Sequence, residues 1–468
     1  GKEVAQVYWS KMDQEGSEHP MQALGGFEKT SLLAPGEEEV LSITIPWKEL
    51  AVYEEERAAW VLEKGEYALR VGNSSQNTVC GKFMQTEQDY VLEQCENRLM
   101  LASCNCGKLK FLTKDKKTDG TTKIADVIEE ADTVKKGDQQ KKTAEVHNCK
   151  VQTRKLSEFS IEELAALCVG YGPGIPFAAA GDLSKPSTIS DENGTPLTTN
   201  SHPVGYAGYV SPAIEEKGIK SVFYKDGPAG IGETAWPTEM LIACAFDKKL
   251  WYEFGNAIGK ECERKQVDIW LAPAVNLHRN PLCGRNFEYF SEDPYLTGIC
   301  ACEITKGVQE NHPVLVCPKH FAVNEQETFR RGSSRKKYDA VDSILTERTA
   351  REIYLKPFEM LVRDAKVACI MTSFNKINGI FAGANKDLCT HILREEWGFE
   401  GAVVTDWGDM DIVTDGADAV AAGNDIVMPG GPPVIAQILK GVQEKRVTRR
   451  ELENAVSHLL DMTSKVTP

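Results

Sequence analysis

From residue 219 onward, short apolar runs alternate with stretches of helical length, and this rhythm limits the fold more than any other feature. The runs fall at 219–224, 268–275, 313–317, 367–371, 401–405 and 425–428. Helical patterns at 246–265, 295–310, 343–365 and 385–397 lie between most of them. Strand, helix, strand in this order predicts parallel strands joined by right-handed crossovers. The stretch 156–468 is long enough for one closed α/β barrel with insertions. A doubly wound open sheet is the alternative, but no GxGxxG follows an early strand. Ser160-Ile161-Glu162-Glu163 opens the region as a capping box, with Ser first and Glu three residues later.

Most of these runs end on a polar or ionisable residue. A buried strand does not finish on an unpaired charge unless its tip faces a cleft, because desolvating that charge is costly. The tips read Lys225-Asp226-Gly227-Pro228, then Asn276 with Gly284-Arg285-Asn286-Phe287-Glu288 in the next loop. They continue with Pro318-Lys319-His320-Phe321, with Asn324 and Glu327 beyond, then Met371-Thr372-Ser373-Phe374-Asn375 and finally Asp406-Trp407. Clustered at one face, these groups suit a neutral, hydroxyl-rich ligand: charged donors and acceptors grip hydroxyls, and an aromatic face covers C–H bonds. Each also has a local explanation. Asp226 before Gly is a common turn former, Arg285 and Glu288 can pair with each other, and Phe374 can simply pack. Independent local explanations would have to coincide at successive tips, which favours a shared site.

Upstream, the pattern is all-β. Val4–Trp9, Val40–Ile45 and Glu66–Gly72 have strand character, separated by Pro35-Gly36, Pro46 and Lys64-Gly65. This predicts an antiparallel sandwich. Its first strand starts almost at residue 1, which leads us to expect further sequence upstream. Lysines crowd Lys108–Lys142 with few large apolar groups, as in a solvated connector. The expected organisation is a sandwich over 1–90, a connector over 91–155 and a catalytic α/β domain over 156–468. A formal charge of -15 argues against nucleic acid and anionic membranes as partners. No run of about 18 apolar residues is present, so no membrane span is expected. The 14 cysteines are scattered. The close pairs Cys104/Cys106 and Cys300/Cys302 lack CxxC spacing, so buried thiols in a reducing, cytoplasmic compartment are expected rather than zinc or disulfides.

Taken together, the motifs resemble glycoside hydrolase family 3. The resemblance rests on Asp226-Gly227-Pro228-Ala229-Gly230, on Gly284 through Pro294, on Lys319-His320-Phe321 with Asn324, Gln326 and Glu327, on Met371 through Gly379, and on Val404-Thr405-Asp406-Trp407-Gly408. Leu24 through Lys29, Pro35-Gly36-Glu37 and Gly65-Glu66-Tyr67 resemble the fibronectin type III-like domain of the same enzymes. The resemblance implies a (β/α)8 TIM-like barrel preceded by that sandwich. It further implies a retaining exo-β-glucosidase with Asp406 as nucleophile. Asp226, Arg285, Lys319 and His320 would bind sugar hydroxyls, and Met371, Phe374 and Trp407 would complete the wall. No cofactor or metal is implied. Lys319 and Arg285 would keep Asp406 ionised by lowering its pKa.

Two departures accompany the resemblance. The type III-like domain comes first, as in a circularly permuted subgroup, which places an α/β sandwich and its acid/base Glu upstream of residue 1. Phe374 stands where relatives commonly carry Tyr. A β-xylosidase or α-L-arabinofuranosidase, and a non-catalytic carbohydrate-binding subunit, stay open as alternatives. Oligomeric state, including a homo-oligomer, stays open too.

Overall fold

The computed structural model describes residues 1–12, 19–99, 156–171, 187–190, 193–200, 209–333, 339–408 and 414–466. The lysine-rich stretch Lys108–Lys142 and the Cys104/Cys106 pair lie outside the described residues. The chain forms two compact units, Gly1–Glu96 with 102–150, and Asn97–Leu101 with 151–468.

The first unit is built from antiparallel strands. Ala23–Lys29, Val4–Lys11, Gly65–Gly72 and Thr78–Thr86 form a four-stranded sheet in that order, and Val52–Glu54, Ala59–Leu62 and Tyr90–Gln94 form a three-stranded one. Trp9, Tyr67 and Leu62 meet in one buried cluster, so side chains from both sheets share a core. Each such burial stabilises by roughly 2–3 kcal/mol. The expected strand at Val40–Ile45 does not form. Its side chains still alternate, with Val40, Ser42 and Thr44 exposed and Leu41, Ile43 and Ile45 half-buried. Ile43 and Ile45 press on Gly26 and Gly25, where an added Cβ would meet them at 2.7 and 3.2 Å. The period-two signal therefore came from packing without a hydrogen-bond ladder.

In the second unit the expected βα rhythm is present. Strands Phe223–Asp226, Ile269–Leu271 and Leu315–Val316 pair in parallel, as do Cys369–Met371 and Ala402–Val404. Parallel bridges continue the ladder from Phe321 to Thr372, from Val404 to Ile426 and from Val427 to Val169. Tyr171 then pairs with Val210, and Tyr209–Val210 pairs with Phe223–Tyr224, both antiparallel. That antiparallel member departs from the all-parallel expectation. Only residues 211–222 join the two segments, and they fold back through an Ile214–Ile219 bridge with Gly218 at φ 65°. A connection this short carries no crossover helix, so it returns the chain antiparallel.

Alternate residues of the parallel strands turn inward. Ile269 with Leu271, Cys369 with Met371, and Ala402 with Val404 share one core, joined by Leu459 and Met462 of the helix Arg449–Ser464. Outside the strands, helices Lys248–Arg264 and Pro294–Gln309 cross closely. A Cβ on Gly255 would sit 2.1 Å from the Ile304 carbonyl oxygen, and one on Gly307 would sit 2.1 Å from that of Tyr252. The capping box read from the sequence is present: Ser160 Oγ accepts from Glu163 N at 3.1 Å, and Glu163 Oε2 accepts from Ser160 N at 2.8 Å. No helix among the described residues is long and apolar enough to cross a membrane.

Candidate functional site

The strand tips meet in a cavity of about 260 Å³, and all eight residues singled out from the sequence line it: Asp226, Arg285, Lys319, His320, Met371, Phe374, Asp406 and Trp407. Tyr209, Leu271, Glu327 and Arg330 complete the wall. The space is large enough to receive a small ring.

Asp226 ends its strand and Gly227 turns the chain away at φ 142°; a Cβ there would strike the Gly230 carbonyl oxygen at 2.1 Å. The Gly227 amide donates to Asp226 Oδ1 at 3.0 Å. Lys319 Nζ donates to the same oxygen. The Lys319 side chain is 2% exposed while that of Asp226 is 62% exposed, so the pair reaches from the core to the cavity mouth. Desolvation pushes the Asp226 carboxyl upward, but the Lys319 ammonium and the Arg285 guanidinium outweigh it and hold the carboxyl below its usual range.

The neighbouring His320 peptide is clamped by Asn276, which accepts from His320 N at 2.9 Å and donates to His320 O at 3.1 Å. Burial, reinforced by Arg285, Lys319 and Arg330, drives the His320 imidazole well below its ordinary value, leaving it neutral. Arg285 pairs with Glu288, as the local explanation required, and also lines the cavity. Its Nη1 also lies 3.6 Å from Glu327 Oε1. Phe374 is buried and contributes its ring to the wall.

Asp406 follows Thr405, which is pinned by N–H donation to Ile426 O at 3.1 Å and by acceptance from Met428 N at 2.9 Å. Asp406 Oδ1 accepts from Trp407 N at 2.7 Å. Oδ2 is buried without a hydrogen-bond partner; His320 Nε2 is 3.7 Å away and Arg330 Nη1 4.0 Å. Here an expectation is corrected. Burial raises the Asp406 pKa, and the opposing pull of Arg330, the Trp407 amide, Arg285 and Lys319 does not cancel it. Trp407 stands edge-on to Tyr209, with ring centroids 4.7 Å apart.

Sequence reasoning missed Tyr209 and Arg330 as wall residues. Tyr209 lies on a two-residue strand with no pattern to flag it. Arg330 had a usable signal, since it follows Glu327 by three residues in a loop already marked by Asn324 and Glu327.

The chain that carries this site matches a known family. Residues 212–462 match the glycosyl hydrolase family 3 N terminal domain. The chain belongs to glycosyl hydrolase family 3. Residues 3–75 match a fibronectin type III-like domain. Across 98% of its length the chain is 34% identical to beta-glucosidase A of Butyrivibrio fibrisolvens, covering 55% of that protein. A crystal structure of a beta-glucosidase from Paenibacillus barengoltzii is similar over 99% of this chain and 51% of its own, with a TM-score of 0.76 and 30% identity. Beta-glucosidase 3B from Thermotoga neapolitana, solved in complex with glucose, covers 66% of this family 3 chain at 35% identity and a TM-score of 0.55, with 42% of its own length covered. The chain thus spans about half the length of the relatives it matches.

Proposed function

We propose that this family 3 chain carries the nucleophilic half of a retaining, exo-acting β-glucosidase that removes terminal non-reducing β-D-glucosyl units from short oligosaccharides or aryl glucosides. One observation carries the proposal: a cavity with room for a ring presents a buried carboxylate oxygen without a hydrogen-bond partner, Asp406 Oδ2, among hydroxyl-gripping side chains. Asp406 attacks the anomeric carbon as the C1–O bond to the aglycone breaks, and water then releases the sugar with configuration retained. Asp226, Arg285, Lys319 and neutral His320 bind hydroxyls. Met371, Phe374 and Trp407 shield the C–H faces.

The other two carboxyls of the wall are engaged elsewhere, Asp226 with Lys319 and Glu327 between Arg285 and Arg330. In this proposal neither is the acid/base, a role that the family resemblance assigns to a Glu on a separate α/β sandwich domain. The scaffold is a (β/α)8-type barrel over 156–468 and a sandwich that runs past the expected boundary at residue 90 to include the strand Tyr90–Gln94, with the connector beginning after it. Its support is the strand-to-strand pairing that returns through Tyr171 and Val210 to Phe223–Asp226. A reducing, cytoplasmic setting is part of the same proposal, supported by eight buried free thiols among the described residues. Two carboxylates suffice for the reaction, so no cofactor is invoked.

The test is Asp406→Asn against a panel of nitrophenyl glycosides. Loss of turnover by at least about a thousandfold is expected, with kcat/KM of the parent highest on the β-glucoside. Near-normal activity of the variant would remove Asp406 from its role. A preference for β-xyloside would change the substrate, and sugar binding without hydrolysis in the parent would favour a binding subunit.

A further inference from the structure

Arg330 lines the cavity but projects from a loop rather than a strand tip. Its guanidinium carbon lies 4.7 Å from the centroid of the Phe374 ring. Its Nε is 3.4 Å from Glu327 Oε2, and Glu327 Oε1 accepts from Asn324 Nδ2 at 3.1 Å. The planar group is therefore held by a ring face and by a carboxylate that is itself anchored. Its remaining edge points to the cavity, with Nη1 4.0 Å from Asp406 Oδ2.

The other groups around Asp406 do different work. The Trp407 amide serves Oδ1, not Oδ2. His320 is nearer to Oδ2, at 3.7 Å, but carries no charge. Lys319 is committed to Asp226, and Arg285 to Glu288 and Glu327. Tyr209 and Asp226 share the wall and bring no positive charge. Among the cations opposing the burial of Asp406, Arg330 exerts the strongest downward pull.

We infer that Arg330 is the positioning residue of the nucleophile: seated on Phe374 and tied by Glu327, it presents the charge that keeps Asp406 Oδ2 ionised and turned toward the anomeric carbon. This rests on Asp406 being the nucleophile.

The test uses the full chain and 2,4-dinitrophenyl 2-deoxy-2-fluoro-β-D-glucoside. An Asp406 oxygen bonds to C1, the C1–O bond breaks, and its electron pair leaves as dinitrophenolate, so no acid catalyst is required. Phenolate release gives the rate, and peptide mass locates the adduct. In Arg330→Met the acid limb of the labelling rate is expected to move up by about one pH unit, a roughly tenfold slowing on the acid side. Arg330→Lys should recover most of that shift, because it retains the charge. Phe374→Leu should show part of it, and the double variant no more than Arg330→Met alone. An unmoved acid limb, or a slowing equal at every pH, would overturn the inference, since a merely structural role predicts the latter. Absence of an Asp406 adduct from the parent at any pH would instead overturn the assignment of the nucleophile.

Discussion

Deleting Asp226 and deleting Lys319 break the same ion pair, yet the two variants are expected to differ in stability. The reason is the unequal burial of the partners, 2% exposed for the Lys319 side chain and 62% for that of Asp226. In Asp226→Ala the ammonium stays in the core without its acceptor. In Lys319→Met an apolar stem of similar length fills the channel, and the carboxylate turns to water. Stranding one partner of a fully buried pair costs about 3–5 kcal/mol, and solvent at the Asp226 end reduces that figure. The expected losses are about 2–3 kcal/mol for Asp226→Ala and under about 1 kcal/mol for Lys319→Met. At about 2 °C per kcal/mol for a unit of this size, the Tm should fall by about 5 °C and by less than about 2 °C. The pH dependence has a definite sign. The folded-state pKa of Asp226 is lowered, so its contribution is complete above the unfolded value of about 3.9 and is lost as pH falls through the folded value. The gap between Asp226→Ala and the parent should close in that acid window. Scanning calorimetry from pH 7 downward reads both effects. Equal losses at neutral pH, or a larger loss for Lys319→Met, would refute the reasoning. Turnover cannot substitute as a readout, because the proposed function assigns a sugar contact to both residues.

Three other changes have defined outcomes. Burial pushes the Glu325 carboxyl up to about 7, despite donation from Leu277 N and Asn276. Its contribution to stability is therefore full below about pH 4.3 and lost as pH rises toward 7. Glu325→Gln, which mimics the protonated acid, should be more stable than the parent by about 3–4 kcal/mol at pH 8 and equal to it at pH 4, as read by urea denaturation at the two pH values. Gly255→Ala should cost about 2 kcal/mol or more through contact with the Ile304 carbonyl, although alanine is the better helix former by about 1 kcal/mol; a rise in Tm would contradict this. Thr448→Ala removes the cap of Arg449–Ser464, where Thr448 Oγ1 accepts from Glu451 N at 3.2 Å. It should cost about 1 kcal/mol in denaturant melts, with Thr448→Ser retaining most of the stability.

What could be read from residues alone was set by local physics. Ser160 with Glu163 announced a cap because that bond closes within one turn. The tip residues announced a site because a charge after a buried run needs an outlet, and Asp226, Lys319 and Asp406 all found the same one. Val40–Ile45 misled because alternation records which face is covered, not whether the backbone finds a ladder partner. Tyr209 escaped because its place in the wall depends on a fold-back of residues 211–222 that no pattern marks.

The Asp406 correction follows from the same limit. A sequence supplies the charges near a carboxylate but not the amount of water removed from around it, and here the removal wins. That outcome is consistent with catalysis rather than opposed to it. A carboxylate stabilised fully by direct bonds would have little reason to attack, whereas Oδ2 is left without a hydrogen-bond donor and faces Arg330 across 4.0 Å. Once ionised, such a carboxylate is poorly solvated, which favours bond formation to an electron-poor carbon. Supplying a donor to Oδ2 should therefore slow the glycosylation step even as it lowers the Asp406 pKa. A faster step together with a lower pKa would show that ionisation, not nucleophilicity, limits the reaction.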